Sequence, residues 1–223
     1  MEESGLLVLM RFVDSETFVP CNFTTFFSQA KQLNLTLGDI ICLILYTVEH
    51  PSTKSHSVYH QLNYHLSSCN KDTNKQVGVY KDFLEASLRK MRPYTGKLYR
   101  GIPECTDKEI DDFFDLKCFT SCSKDYNVAA NFACREGDCN GFVLNIANGK
   151  SYSLGNFSVF DDENESLILP PAHFERDDDS TIVGSPIHTT YGMTVTNVAV
   201  NLYFDEEKLT ESDATEKIKL ATK

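Results

Sequence analysis

Val77, Tyr80, Leu84, Leu88 and Met91 recur at steps of three and four residues, with Lys81, Asp82, Glu85 and Lys90 between them. That spacing lays one apolar stripe along a helix, and the helix must stop before Pro93. Such a stripe needs partners. Residues 28–49 and 58–66 supply them, separated by the turn-forming HPSTKS at 50–55. Beyond Lys97 the period changes to short β-type runs: LYR at 98–100, GFVLNI at 141–146, SLIL at 166–169 and TVTNVAVNLYF at 194–204. In the last run Thr196, Val198, Val200, Leu202 and Phe204 alternate with Asn197, Ala199, Asn201 and Tyr203, as in a strand buried mainly on one face. Two helices interrupt this half. Thr106 and Glu109 form a capping box ahead of Ile110, Phe113 and Phe114, and Ser123 caps a helix carrying Val128, Ala129 and Phe132. The pattern predicts one α+β domain over 1–223: a mainly helical part at 1–95, a mainly β part at 96–204 and a loose charged tail at 205–223.

Composition narrows the class. The 223 residues are 41% hydrophobic and 24% charged, which excludes a disordered, collagen-like or coiled-coil chain. A net charge of −11 repels phosphate backbones, so nucleic acid is not an expected partner. The longest apolar run, Ile40 to Tyr46, is far short of the roughly 20 residues that cross a bilayer. The start, MEESGLLVLMRF, lacks the basic flank and the length of a secretory signal, so the chain reads as cytosolic as given. Eight cysteines and sequons at Asn22, Asn34, Asn156 and Asn164 permit an extracellular setting instead, and the compartment stays open.

Three segments can carry chemistry. In SVFDDENESLILPP at 158–171, acidic residues crowd ahead of a hydrophobic strand, and in extended chain Glu163 and Glu165 point the same way. Two carboxylates on one side suit a reaction in which one steadies a developing cation and the other takes a proton. A solvated acidic turn has the same composition. In KLYRGIP, Arg100 precedes Gly101; a guanidinium fork fits a pyrophosphate, and the missing side chain lets a ligand approach. A surface ion pair is the plainer reading of such an arginine. In FTSCS at 119–123, Ser121 and Ser123 project on one side of a short strand, where hydroxyls hold a carboxylate or a ribose; Ser123 is equally a helix cap.

In this order, LYRG at 98–101, FTSCS at 119–123 and ENESLILPP at 163–171 resemble the arginine, Ser-x-Ser and Glu-x-Glu signature of mono-ADP-ribosyltransferases of the cholera- and clostridial-toxin type, which includes the vertebrate ecto-enzymes. Tyr46-Thr47 and YHQLNYHL at 59–66 look like that family's helical lead-in, so the resemblance spans residues 46–174. It implies N-terminal helices packed on a core of two mainly antiparallel sheets with an NAD cleft between them. NAD would be the co-substrate, no metal would be needed, and the partner would be a protein with an accessible arginine. Arg100, with Gly101 beside it, would bind the pyrophosphate; Ser121 would orient the catalytic carboxylate, and Ser123 would add a second hydroxyl to the nucleotide site. Glu165 would stabilise the oxocarbenium-like transition state, and Glu163 would take a proton from the acceptor guanidinium, which selects arginine. Phe132 and Arg135 match an aromatic and a basic residue that fold over nicotinamide and phosphate, although Phe132 also fits the core face of its own helix. Cys122 stands where the family has threonine, on the side of the strand expected to face away from the cleft. Residues 176–191 read as a loop insertion.

Cys118-x3-Cys122 and Cys134-x4-Cys139 invite a zinc reading, but no C-x2-C pair is present and no histidine lies between 66 and 172. A disulfide across Cys134 and Cys139, or one from Cys105 to a neighbouring strand, is the stronger expectation. Rival functions on the same scaffold are an NAD glycohydrolase and a non-catalytic binding module.

Overall fold

The structure is a computed structural model that describes residues 23–49, 53, 56–67, 75–103, 113–134, 141–160, 163–176, 187–188 and 194–203. Four helices lead. Helix α1 spans Phe23–Gln32, α2 Leu37–Thr47, α3 Val58–Ser67 and α4 Lys75–Arg89. The expected stretch 28–49 is two helices, because Asn34 takes the left-handed conformation at φ 57° and breaks the chain between them. Leu84, Leu88 and Met91 of the periodic stripe are buried and Val77 and Tyr80 half-buried, so the stripe faces the core as its spacing predicts.

Helix α2 is anchored at its start. Thr36 and Asp39 form a reciprocal capping box, which satisfies backbone donors that a helix end leaves orphaned. Asp39 is 1% exposed and also accepts from Ser87 Oγ at 2.8 Å and Lys90 Nζ at 2.6 Å, both on or just after α4. Burial pushes this carboxyl up, but bonds from Lys90, Thr36 and Ser87 outweigh it and hold the group at about 2.

The β half begins at Pro93, where the helix pattern ended. Strand β1 runs Pro93–Ile102, β2 Phe113–Leu116, β3 Thr120–Ser123, β4 Phe142–Ser153, β5 Glu165–Ile168, β6 Ala172–Arg176, β7 Ile187–His188 and β8 Thr194–Tyr203. Expectation and structure differ in arrangement. Two separate sheets were expected; instead β1, β3, β5 and β4 pair in a closed four-stranded ring, since β1 also pairs with β4 along nearly its whole length. Strand β8 pairs in parallel with the first half of β4, and β6 and β2 extend the same sheet; every other pairing is antiparallel. Leu98, Cys122, Leu144, Ile146 and Ile168 fill the ring, while Phe119 and Leu167 pack outward into the helical core beside Leu43, Leu62 and Leu88.

Two helix expectations change. Phe113 and Phe114 lie in strand β2, paired with Phe174 and Glu175, and not in a helix; aromatic residues suit a pleated surface once a distant partner strand is available. Helix α5, Tyr126–Ala133, is capped by Asp125, whose side chain accepts from Asn127 N, while Ser123 remains in β3. The capping pair Thr106 and Glu109 and the tail at 205–223 lie outside the described residues.

Candidate active site

Register sets the site. Strands β3 and β5 pair with Ser121 opposite Leu167 and Ser123 opposite Glu165, so both serines and Glu165 emerge on the outer face of the ring. Arg100 on neighbouring β1 reaches across and donates from Nη1 to Ser121 O at 2.9 Å. One of its five donors is used there, which fixes the fork beside the pocket. Glu163 joins by a route that period-two alternation did not foresee. The strand begins only at Glu165, and Asn164 is left-handed at φ 48°, so a tight turn rather than extended chain brings the two glutamates to one hollow. The turn is tied down: Ser123 Oγ donates to Glu163 O at 3.0 Å and accepts from Asp125 N at 3.1 Å. Val159 N, upstream of the turn, donates to Thr47 Oγ1 at 3.0 Å.

The hollow is a cavity of ≈ 330 Å³, and Arg100, Gly101, Ser121, Ser123, Phe132, Glu163 and Glu165 all line it. Such a volume is in the ~300–1,000 Å³ range of small-molecule sites. Its walls are the outer face of the ring on one side and helices α2, α3 and α5 on the other, so it is not a cleft between two sheets. Arg135 lies outside the described residues, as do Asp161, Asp162 and Asp177 to Asp179.

Gly101 also has a packing reason beside the one expected. A side chain there would collide with Ala129 O at 2.0 Å and Ala133 N at 2.7 Å, and one at Gly141 would meet Ala133 O at 2.1 Å. Both glycines let α5 lie directly on β1 and β4, a backbone approach that no other residue allows. Alanines 129, 130 and 133 make the buried face of α5, which leaves Phe132 half-buried on the pocket wall.

The helical half contributes a polar group that sequence reasoning passed over. Asn63 on α3 accepts from Phe119 N at 3.2 Å and donates Nδ2 to Phe119 O at 3.2 Å and to Tyr46 Oη at 3.3 Å. Tyr46 is 2% exposed and lines the same hollow as Ser121 and Glu165; burial pushes its phenol well above the ordinary value. Ser121 and the Glu165 carboxyl share that hollow, on adjacent strands. Burial raises that carboxyl above the ordinary glutamate value, opposed by the Ser121 bond and the Arg100 charge. A half-buried carboxylate beside one guanidinium is prepared to meet a positive charge that appears during a reaction. Cys122 faces the ring interior, as its position in the strand predicts, and burial pushes its thiol up to about 12.

Among the described residues no group of three or more His, Cys, Asp or Glu side chains is arranged to hold a metal, and no disulfide joins Cys42, Cys118, Cys122 and Cys134. Cys105 and Cys139, the expected disulfide partners, lie outside those residues. No described helix is long and apolar enough to cross a membrane.

By sequence, no family model and no curated protein matches the chain. In three dimensions it is similar to Vis toxin, an ADP-ribosyltransferase from Vibrio splendidus, at 17% identity and a TM-score of 0.53 over 82% of this chain and 87% of that one. It is similar as well to the ADP-ribosyltransferase HopU1 of Pseudomonas syringae pv. tomato (12% identity, TM-score 0.56, 79% of this chain and 81% of that one). The C3 exoenzyme of Clostridium limosum aligns at 12% identity and a TM-score of 0.53 over 79% and 90% of the two chains. The chain therefore has the fold of the ADP-ribosyltransferase toxins.

Proposed function

We propose that the protein is an NAD-dependent mono-ADP-ribosyltransferase that transfers ADP-ribose to an arginine of a protein substrate and releases nicotinamide. The observation that carries this reading is the convergence of Arg100, Ser121, Glu163 and Glu165 on one cavity of an ADP-ribosyltransferase fold. Neighbours of that fold support NAD as the donor: C3stau2 has been solved with NAD, and exoenzyme S with carba-NAD and the protein 14-3-3.

The chemistry follows from the residues. Breaking the bond between nicotinamide and its ribose leaves positive charge on the sugar, and Glu165 stabilises it at the moment it forms. Nicotinamide leaves as a neutral molecule, so no strong general acid is needed. Ser121 holds the carboxylate in place, Arg100 binds the pyrophosphate by its fork, and Phe132 covers the nicotinamide end, with Arg135 on the phosphates. A guanidinium acceptor is a poor nucleophile until it loses a proton, and Glu163, two residues from Glu165 and facing the same hollow, accepts it. Vis has been solved with agmatine, an amine that carries a guanidine, which supports an acceptor of arginine type.

Hydrolysis of NAD on the same site is the second reading, favoured by the same carboxylate with water in place of the acceptor. Replacing Glu163 by Gln separates the two. Incubation with labelled NAD and an arginine-containing protein is expected to show transfer to arginine by mass spectrometry in the native protein. Glu163→Gln should remove transfer while nicotinamide release persists. A native protein that releases nicotinamide but never modifies the acceptor supports the hydrolase, and one that binds NAD without turnover refutes both.

A further inference from the structure

Beside the cavity lies a second hollow of ≈ 390 Å³, lined by Tyr99, Lys124, Asp125, Tyr126, Ser153 and Asn164. The two meet in their linings. Tyr99 belongs to both, and the turn that carries the glutamates serves both: Glu163 and Glu165 line the first hollow, and Asn164 between them lines the second. The left-handed backbone of Asn164, φ 48°, reverses the chain at that point. An acceptor drawn to Glu163 therefore arrives next to the second hollow as well. We propose that this hollow is an acceptor subsite, which receives a carboxylate side chain from the residue next to the arginine being modified, with Lys124 as its cation. The inference rests on the proposed transfer to arginine and adds a sequence preference to it.

The cations here have no acidic partner. The Lys124 ammonium lies over the Tyr94 ring at 4.1 Å and that of Lys97 over the Tyr99 ring at 5.3 Å, and among the described residues neither forms an ion pair. Lys81, Arg89 and Lys90, in the helical half, are each paired with an acid. A ring face holds an ammonium without cancelling its charge, so both lysines keep capacity for an incoming anion. Asp125, the acid in the lining, accepts from Asn127 N at 2.8 Å and sits at the positive end of α5, which offsets its charge. Tyr99 and Tyr126 meet edge to face at 5.4 Å and form a firm wall, and the Ser153 hydroxyl and Asn164 amide can donate. Two arguments then choose the ligand. At a net charge of −11 the chain repels free anions, so a phosphate or a lone carboxylate gains little from one lysine. A carboxylate on a substrate already anchored by its guanidinium arrives instead at high effective concentration. Neighbouring residues of an extended chain are about 3.8 Å apart and point to opposite faces, which suits a dividing turn with the arginine on one side and its neighbour on the other.

The experiment measures the binding of labelled peptides to the full chain by fluorescence anisotropy, with carba-NAD present. One peptide carries Glu on both sides of a single Arg, the second has Gln at those places, and the third has the same Glu residues moved four positions outward. The subsite predicts that the first binds about three- to fivefold tighter than either of the others, the size of one exposed ion pair, and that high salt removes the difference. Lys124→Gln, whose fold a thermal melt confirms, should bring the three affinities together. Equal affinities in the native protein, no measurable binding of any peptide, or a preference that survives Lys124→Gln overturns the proposal. So does a loss of carba-NAD affinity above about twofold in Lys124→Gln, which would assign the hollow to the nucleotide. None of these readings needs transfer, so the subsite and the proposed function fail separately. A preference without transfer from NAD refutes the function and leaves the subsite; transfer to arginine without a preference does the reverse.

Discussion

Asp39 in the helical half and Glu165 in the pocket are two carboxyls, one fully buried and one half-buried, and their environments drive them in opposite directions. Asp39 is met by Lys90, Ser87 and both the backbone and hydroxyl of Thr36, so the charged form is held down to about 2. Glu165 is raised by burial, with the Ser121 hydroxyl and the Arg100 charge as the opposing influences. On the proposed function, the difference separates a carboxylate that builds from one that acts. Saturating an acid with donors makes it a pin between α2 and α4; leaving it short of donors keeps part of its electrostatic capacity for something that arrives later.

Three variants test this contrast. Glu165→Gln removes the carboxylate proposed to act and should lower NAD cleavage by roughly 10²–10³, or about 3–4 kcal/mol of barrier. The same change should raise Tm at pH 7, because the folded protein no longer holds a poorly solvated charge, and the gain should vanish below the ordinary glutamate range, where both states are protonated. A lowered Tm at pH 7 would mean that Glu165 is saturated like Asp39. Asp39→Asn should cost about 3 kcal/mol in urea unfolding, since Lys90 loses its partner, the capping box is broken and activity per folded molecule is retained. The sign in pH is opposite to that of Glu165. A depressed carboxyl contributes stability above about 4, and that stability should drain as pH falls from about 4 towards 2; in Asp39→Asn this part of the acid transition should flatten. Smallest is the turn between the two glutamates. Asn164→Val should cost about 1–2 kcal/mol, because a β-branched residue resists the left-handed backbone, whereas Asn164→Gly should be close to neutral in stability.

Much of this was legible in the chain, for a physical reason that differs by element. The apolar pattern revealed α4, and the runs read as strands at 98–100, 141–146 and 194–204 fall on β1, β4 and β8, because a one-sided apolar pattern is a local property. Short motifs singled out Arg100, Ser121 and Glu165, and strand register brings the three to one cavity. The misses are non-local. Phe113 and Phe114 read as helical beside a capping box, but a strand 58 residues or more further on claims them, as Phe114 pairs with Phe174. The closed ring could not be foreseen either, since pairing of β1 with β4 leaves no mark in either strand. Gly101 carries a packing reason that its motif does not reveal: a glycine that admits a ligand and one that admits a helix look identical in sequence. Tyr46 and Asn63 gave the weakest signal. On α2 and α3 they occupy apolar or polar positions that any helix could carry, and only the hydrogen bonds that join them to each other and Asn63 to Phe119 set them apart.

A sheet bent round until its first strand meets its fourth has no loose margin within that circuit, so a one-residue slip in any member would have to be absorbed by the other three. Arg100, Ser121 and Glu165 all hang from that hoop, at heights fixed by main-chain bonds that are indifferent to side-chain identity. Mutation can therefore wander through helices and outer strands while the spacing of these three is carried along intact. Such an architecture tolerates the 12–18% identity that separates this chain from its structural neighbours, and it explains why likeness is visible in shape where it has faded from the letters.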